Sequence, residues 1–195
     1  MTFVQAQVVG ISMQPTFNKN LGVGTQEEYE QSEYKDYVYA NRFNKGTNGD
    51  IVLLDINGQI LIKRLIATGG QKLTLKKQVG STQYKLYVND IMLDEQYLDA
   101  DKGKMDYAYY YGKFCQALSA DEGEKPVVEV VEDEEAYIIV PQGKIFVLGD
   151  YRILSRDSTE FGFVSTDAVI GRVEISYAYD QNLFGYIWQK IASIF

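Results

Sequence analysis

Apolar and polar positions along the chain recur mostly in short runs with a period near two, the pattern of half-buried strands. Val4 to Val9 is the first such run, and Tyr37-Val38-Tyr39-Ala40 is the second, rich in aromatic and β-branched side chains. Gly49-Asp50 turns into a strand over Ile51 to Asp55, and Ile56-Asn57-Gly58 reads as a hairpin turn. The run Gln59 to Ala67 is then the returning arm. Alternation in that arm puts Leu61, Lys63 and Leu65 on one face and Ile60, Ile62, Arg64 and Ile66 on the other. A helical period emerges at the end of the chain, where Phe184, Ile187, Trp188, Ile191 and Phe195 form a narrow apolar stripe.

Composition narrows the chemistry. The 195 residues suit one medium domain, or one domain with an insertion, and 46% hydrophobic content is ample for a core. A formal charge of -8 argues against nucleic acid as a partner. The single cysteine, Cys115, excludes an internal disulfide. No histidine is present, which removes Ser-His-Asp and Cys-His catalysis and the commonest metal ligand. No metal and no cofactor is expected.

A serine without histidine needs another base. Lysine can serve only if its pKa, ordinarily about 10.4, is depressed, and burial can lower it by up to roughly 3–5 units. A catalytic lysine therefore stands out as a charge inside an apolar strand, and Lys63 fits that description better than the other lysines. An edge strand whose lysine tip reaches water would give the same pattern. The nucleophile candidate is Ser12, in Gly10-Ile11-Ser12-Met13-Gln14-Pro15-Thr16 at the end of the first apolar run.

Ser-Met-x-Pro-Thr followed by a lysine in a buried strand resembles the bacterial type I signal peptidases, a family of Ser-Lys proteases. Gly49-Asp50-Ile51-Val52 matches that family's GDIV and Lys63-Arg64-Leu65-Ile66 its KRVI. The stretch from Val140-Pro141-Gln142-Gly143 through Gly149-Asp150-Tyr151-Arg152 to Ser155-Arg156-Asp157-Ser158 resembles its box VPxGxxFVxGDNRxxSxDS. Gly162-Phe163-Val164 and Ile170-Gly171-Arg172 follow in the family's order.

The resemblance implies a mechanism and a site. Neutral Lys63 takes the proton of Ser12 as the hydroxyl attacks a preprotein's scissile carbonyl, an acyl-enzyme forms, and Lys63 then activates water. The backbone N–H of Ser12 is one oxyanion donor. A serine that helps in some members is replaced here by Gly10. Ser155 stands where the family has a hydroxyl that orients the lysine. Arg64, Asp150, Arg152 and Asp157 are the expected structural support. Val8, Val9, Gly10, Met13, Leu61 and Ile62 are the expected walls of shallow pockets for small residues at −1 and −3 of a signal peptide.

The implied fold is mostly β: a coiled antiparallel sheet catalytic core of signal-peptidase type, an inserted β subdomain and a C-terminal helix. The expected division is a core of residues 1–78 and 137–195 with residues 79–136 inserted. Within the insert, Leu93-Asp94-Glu95-Gln96-Tyr97-Leu98 resembles part of the family's INGxxLxEPYL, and the acidic run Glu129 to Glu135 reads as a solvated face. Residues 17–48 exceed the family's usual link, and no role is assigned to them. Family members are normally held at the extracytoplasmic face of the bacterial membrane by an N-terminal anchor. Only eleven residues precede Ser12 and no run of about 20 apolar residues exists, so the chain reads as a soluble fragment. The terminal stripe either packs on the core or lies on a membrane surface.

Two positions depart from the family pattern: Tyr151 replaces an asparagine and Thr159 an arginine. Losing that arginine would leave Asp157 short of a charge partner. The departures also suit an alternative, a specialised assembly factor that binds a pilin or another pilus partner. A self-cleaving repressor of the LexA type uses similar chemistry but would need a DNA-binding domain and lacks the Gly-Asp box.

Overall fold

A computed structural model describes residues 2–104, 112, 129–130, 135–180 and 183–192, with 129–130 and 188–192 described by backbone alone. Most of Tyr107 to Phe114, most of the acidic run, Cys115 and the side chains of Trp188, Ile191 and Phe195 lie outside the described residues.

The described strands form two antiparallel sheets, neither closed on itself. In the first sheet the chain order gives β1 (Phe3–Gln7), β2 (Tyr37–Asn41), β3 (Ile51–Ile56) and β4 (Gln59–Thr68). The second sheet takes β5 (Lys72–Lys77), β6 (Tyr84–Val88), β7 (Ile91–Met92), β8 (Glu129–Val130) and β9 (Glu135–Ile139). The chain then returns to the first sheet as β10 (Lys144–Leu148), β11 (Val164–Ser165) and β12 (Val169–Tyr177). Spatial order is β1-β2-β12-β3-β4-β10-β11 in the first sheet and β7-β6-β5-β9-β8 in the second. Helix among the described residues includes α1 (Gln26–Gln31), α2 (Ser158–Phe161) and α3 (Leu183–Ala192), with single 3₁₀ turns at Arg152–Leu154 and Thr166–Ala168.

The β3–β4 hairpin forms as its sequence dictates. Ile56 pairs with Gln59 across Asn57-Gly58, whose φ values of 54° and 84° are those of a type I′ turn. Register then sets Lys63 opposite Val52 and Leu61 opposite Leu54. On its other side β4 pairs with β10 only from Arg64 to Thr68. Gln59 to Lys63 thus have one edge without a strand among the described residues. β1 is shorter than its apolar run: its pairing with β2 ends at Gln7, and at Gly10, with φ 83°, the backbone turns into the Ser12 loop.

Among the described residues, three apolar clusters hold this frame. Ile66, Phe146 and Leu148 of the first sheet pack with Leu73, Leu75, Leu86 and Ile138 of the second, joining the two sheets in one core. Val52, Leu54, Leu65 and Val147 fill another cluster. Val8, Met13, Phe17, Val38, Leu53 and Ile62 form the third, beneath the Ser12 loop. Burying each such side chain fully is worth roughly 1.5–3 kcal/mol, so the strand that carries Lys63 is among the most firmly held.

Candidate active site

β1 and β4 are first and fifth in the sheet order, yet the loop after β1 meets β4, with Val8 and Met13 packed in one cluster with Leu53 of β3 and Ile62 of β4. Lys63 Nζ lies 2.8 Å from Ser12 Oγ. Lys63 is only 3% exposed. Burial pushes its ammonium pKa down to about 8, against the charges of Asp157 and Asp150, which act to raise it. With Lys63 neutral, the same contact lets the Ser12 hydroxyl donate to the amine. Among the described residues the Ser12 N–H has no hydrogen-bond partner, so it is free to meet an oxyanion.

The Ser12 loop is pinned from several sides. Asn18 Nδ2 donates to the carbonyls of Val8 at 2.6 Å and Gly10 at 2.8 Å, and Tyr151 N–H donates to the Ser12 carbonyl at 3.0 Å. That last bond uses the backbone, so tyrosine in place of asparagine leaves it intact. Gly149 lies against the loop: a Cβ there would overlap both the Ser12 carbonyl oxygen and Ser155 Oγ. Gly149→Ala should therefore displace the nucleophile and cut turnover by 10²-fold or more, the order expected for a misplacement of about 1 Å. Steady-state kinetics on a folded variant checks this, and unchanged turnover would refute the tight fit.

Asp150 ties its own segment to β4 and to the serine loop. Arg64 donates to it twice, Nε to Oδ1 at 2.8 Å and Nη2 to Oδ2 at 2.6 Å, and Thr16 of the serine loop donates its hydroxyl to Oδ2. Arg64 also donates to the Gly49 carbonyl at 2.7 Å, and its guanidinium lies 3.6 Å over the Tyr97 ring. Asp157 is fully buried and accepts from Gly149 N–H at 2.9 Å, Thr159 N–H at 3.1 Å and Thr159 Oγ1 at 2.8 Å. Thr159 thus supplies neutral donors where the family has a cation. It does so because Asp157 is the N-cap of α2, whose first turn points N–H groups at the carboxylate.

The remaining expected residues fall in different places. Ser155 is buried beside Gly149 but its hydroxyl bonds neither Lys63 nor any other described group. Arg152 is buried in an ion pair with Glu95 and bonds Tyr97 Oη at 3.3 Å. Val8, Val9, Gly10, Leu61 and Ile62 line a groove of about 840 Å³ that reaches Ser12 and Lys63. Met13, 1% exposed, packs in the core beneath the groove and is not among its lining. Sequence reasoning missed Glu95, Tyr97 and Thr16. The arginines were the available signal, since a buried one needs an acceptor and the segment Leu93 to Leu98 holds two carboxylates, Asp94 and Glu95.

The chain belongs to the signal peptidase family, peptidase S26, whose model matches residues 1–178. Among its relatives, a signal peptidase I of Bacillus caldolyticus is 32% identical over 129 residues, covering 66% of this chain and 59% of that one. Signal peptidase I V of Bacillus subtilis is 29% identical over 170 residues, 87% of this chain and 82% of the relative. Signal peptidase IB of Staphylococcus aureus is 28% identical over 130 residues, again spanning 59% of the relative's length. A solved signal peptidase I from Enterococcus faecalis is 27% identical, covers 66% of this chain and 97% of that chain, and superposes with a TM-score of 0.39.

Proposed function

We propose that the chain is the catalytic domain of a serine endopeptidase that removes signal peptides from secreted preproteins through a Ser12–Lys63 dyad and an acyl-enzyme. The observation that carries this reading is the 2.8 Å contact between Ser12 Oγ and a lysine that is only 3% exposed. Ser12 Oγ attacks the scissile carbonyl as Lys63 Nζ takes its proton. The oxyanion meets the Ser12 N–H, Lys63 returns the proton to the leaving amine, and water activated by Lys63 releases the acyl group.

Substrate binding uses free sheet edges. The preprotein lies extended between the segment leading to Gly10 and the unpaired edge of Gln59 to Lys63, adding a strand. Val9, Leu61 and Ile62 leave shallow apolar space, which suits small residues at −1 and −3. Signal peptides reach such a site at the extracytoplasmic membrane surface. No helix of the described residues is long and apolar enough to cross a membrane, and the exposed Phe184 and Ile187 of α3 are the residues we assign to lipid contact.

The test is cleavage of a detergent-presented Ala-x-Ala signal peptide by the parent protein, Ser12→Ala and Lys63→Ala. Both variants should lose about 10⁴-fold or more in rate, and mass spectrometry of the quenched parent reaction should find the acyl adduct on Ser12. Cleavage retained by Ser12→Ala sinks the reading.

A further inference from the structure

We propose that Tyr29, in the segment between Thr16 and Gly49 that the family pattern leaves unexplained, sets the size limit of the substrate pocket beside Ser12. This rests on the peptidase reading above, and it adds a wall outside the aliphatic positions of β1 and β4. The ring of Tyr29 faces Gly10: Cδ2 and Cε2 stand 3.5 Å and 3.9 Å from where a Cβ at that position would be. With Val23, Gly24 and Glu30 it lines the same groove as Gly10, Ser12 and Lys63.

The ring is held in place by its own segment. Its hydroxyl oxygen accepts from Gly24 N–H at 2.7 Å. The helix that carries it, α1, starts in a reciprocal cap: Glu28 N–H donates to Thr25 Oγ1 at 3.2 Å and Thr25 N–H to Glu28 Oε2 at 2.6 Å. Upstream, Gln14 Nε2 of the nucleophile loop donates to the Leu21 carbonyl at 2.8 Å. The lip is therefore tied to the loop it covers. Aliphatic walls such as Val9 and Leu61 can shift by a rotamer to admit a larger side chain. A planar ring fixed at its hydroxyl end yields less, so the substrate residue whose side chain points toward Gly10 must be small.

Two peptide series test this, one carrying Ala, Val or Leu at −1 and the other carrying them at −3. In Tyr29→Ala, kcat/KM for the leucine peptide relative to the alanine peptide should rise by about tenfold or more at one of the two positions, the scale of one or two methylenes in a pocket. Tyr29→Phe, which keeps the ring and loses its hydroxyl tether to Gly24, should lie between the parent and Tyr29→Ala. The ratio compares two substrates on one protein, so partial unfolding of a variant cancels. An unchanged ratio at both positions in Tyr29→Ala overturns the proposal. A Tyr29→Phe protein that behaves like Tyr29→Ala overturns it too, because the hydroxyl and not the ring would then be responsible. Dissociation constants for the same peptides, measured in a Ser12→Ala background, separate the two readings. If the parent cleaves nothing but Tyr29→Ala still gains affinity for a leucine peptide, the wall stands and the peptidase reading falls. No gain in affinity overturns the wall.

Discussion

Lys63→Met is expected to lose cleavage by about 10⁴-fold or more while melting at a higher temperature than the parent at pH 7. Catalysis needs the amine neutral, so the parent's rate should climb with pH through about 8, where Lys63 titrates, and not near the ordinary lysine value. Stability has the opposite interest. The drop from 10.5 to about 8, at about 1.4 kcal/mol per unit, means the buried ammonium costs about 3 kcal/mol. Below pH 8 both the folded and the unfolded chain carry that proton, and the full cost is present. Between pH 8 and 10.5 the unfolded chain still binds it and the folded chain does not, so stability rises with pH across that window.

Methionine fills nearly the same volume without the charge and removes the cost. Its advantage should be a few kcal/mol at pH 7, about 2–4 °C per kcal/mol for a chain of this size, and it should shrink toward pH 10.5. Paired thermal melts at pH 6 to 10.5 read the difference directly and cancel the other titrating groups. A variant less stable than the parent at pH 7, or a difference that ignores pH, would mean Lys63 is not charged against its surroundings.

How far the sequence carries the reader depends on whether a feature is local. The β3–β4 hairpin was legible because Asn57-Gly58 specifies the turn and alternation then fixes which residues share a face with Lys63. Lys63 does lie on the free edge that runs from Gln59 to Lys63, but its tip is not a water-reaching one, because it meets Ser12 and is only 3% exposed. Met13 was expected at the groove from the family resemblance, but beyond the turn at Gly10 it packs in the core with Phe17 and Ile62. Thr159 gave no hint that it could replace a cation, since its donation to Asp157 depends on α2 starting there. Tyr97 over Arg64 and Glu95 on Arg152 are contacts between residues more than thirty positions apart. No periodicity encodes such partners.

Breaking the Arg64–Asp150 pair from one side is expected to cost about 3–5 kcal/mol, and removing both charges far less. The carboxylate is fully buried and the guanidinium side chain is 9% exposed, so either group alone is a charge stranded away from water. Arg64→Met would leave Asp150 with the Thr16 hydroxyl as its remaining side-chain partner. Asp150→Leu would leave the guanidinium on the Gly49 carbonyl, a long contact to the Thr16 hydroxyl and the Tyr97 ring. The double variant strands neither, and its stability should lie within a few kcal/mol of the parent, so the double loss falls far short of the sum of the single losses in a double-mutant cycle. Urea unfolding of the four proteins measures it, and additive losses would show that the pair is not the node. Turnover should not recover with stability. Asp150 ties the serine loop to the lysine strand, and an apolar pair of similar volume can hold the core without setting the distance between Ser12 and Lys63. A double variant that folds like the parent yet turns over at least 10²-fold more slowly would separate the two roles, because the dyad depends on that ångström-scale alignment.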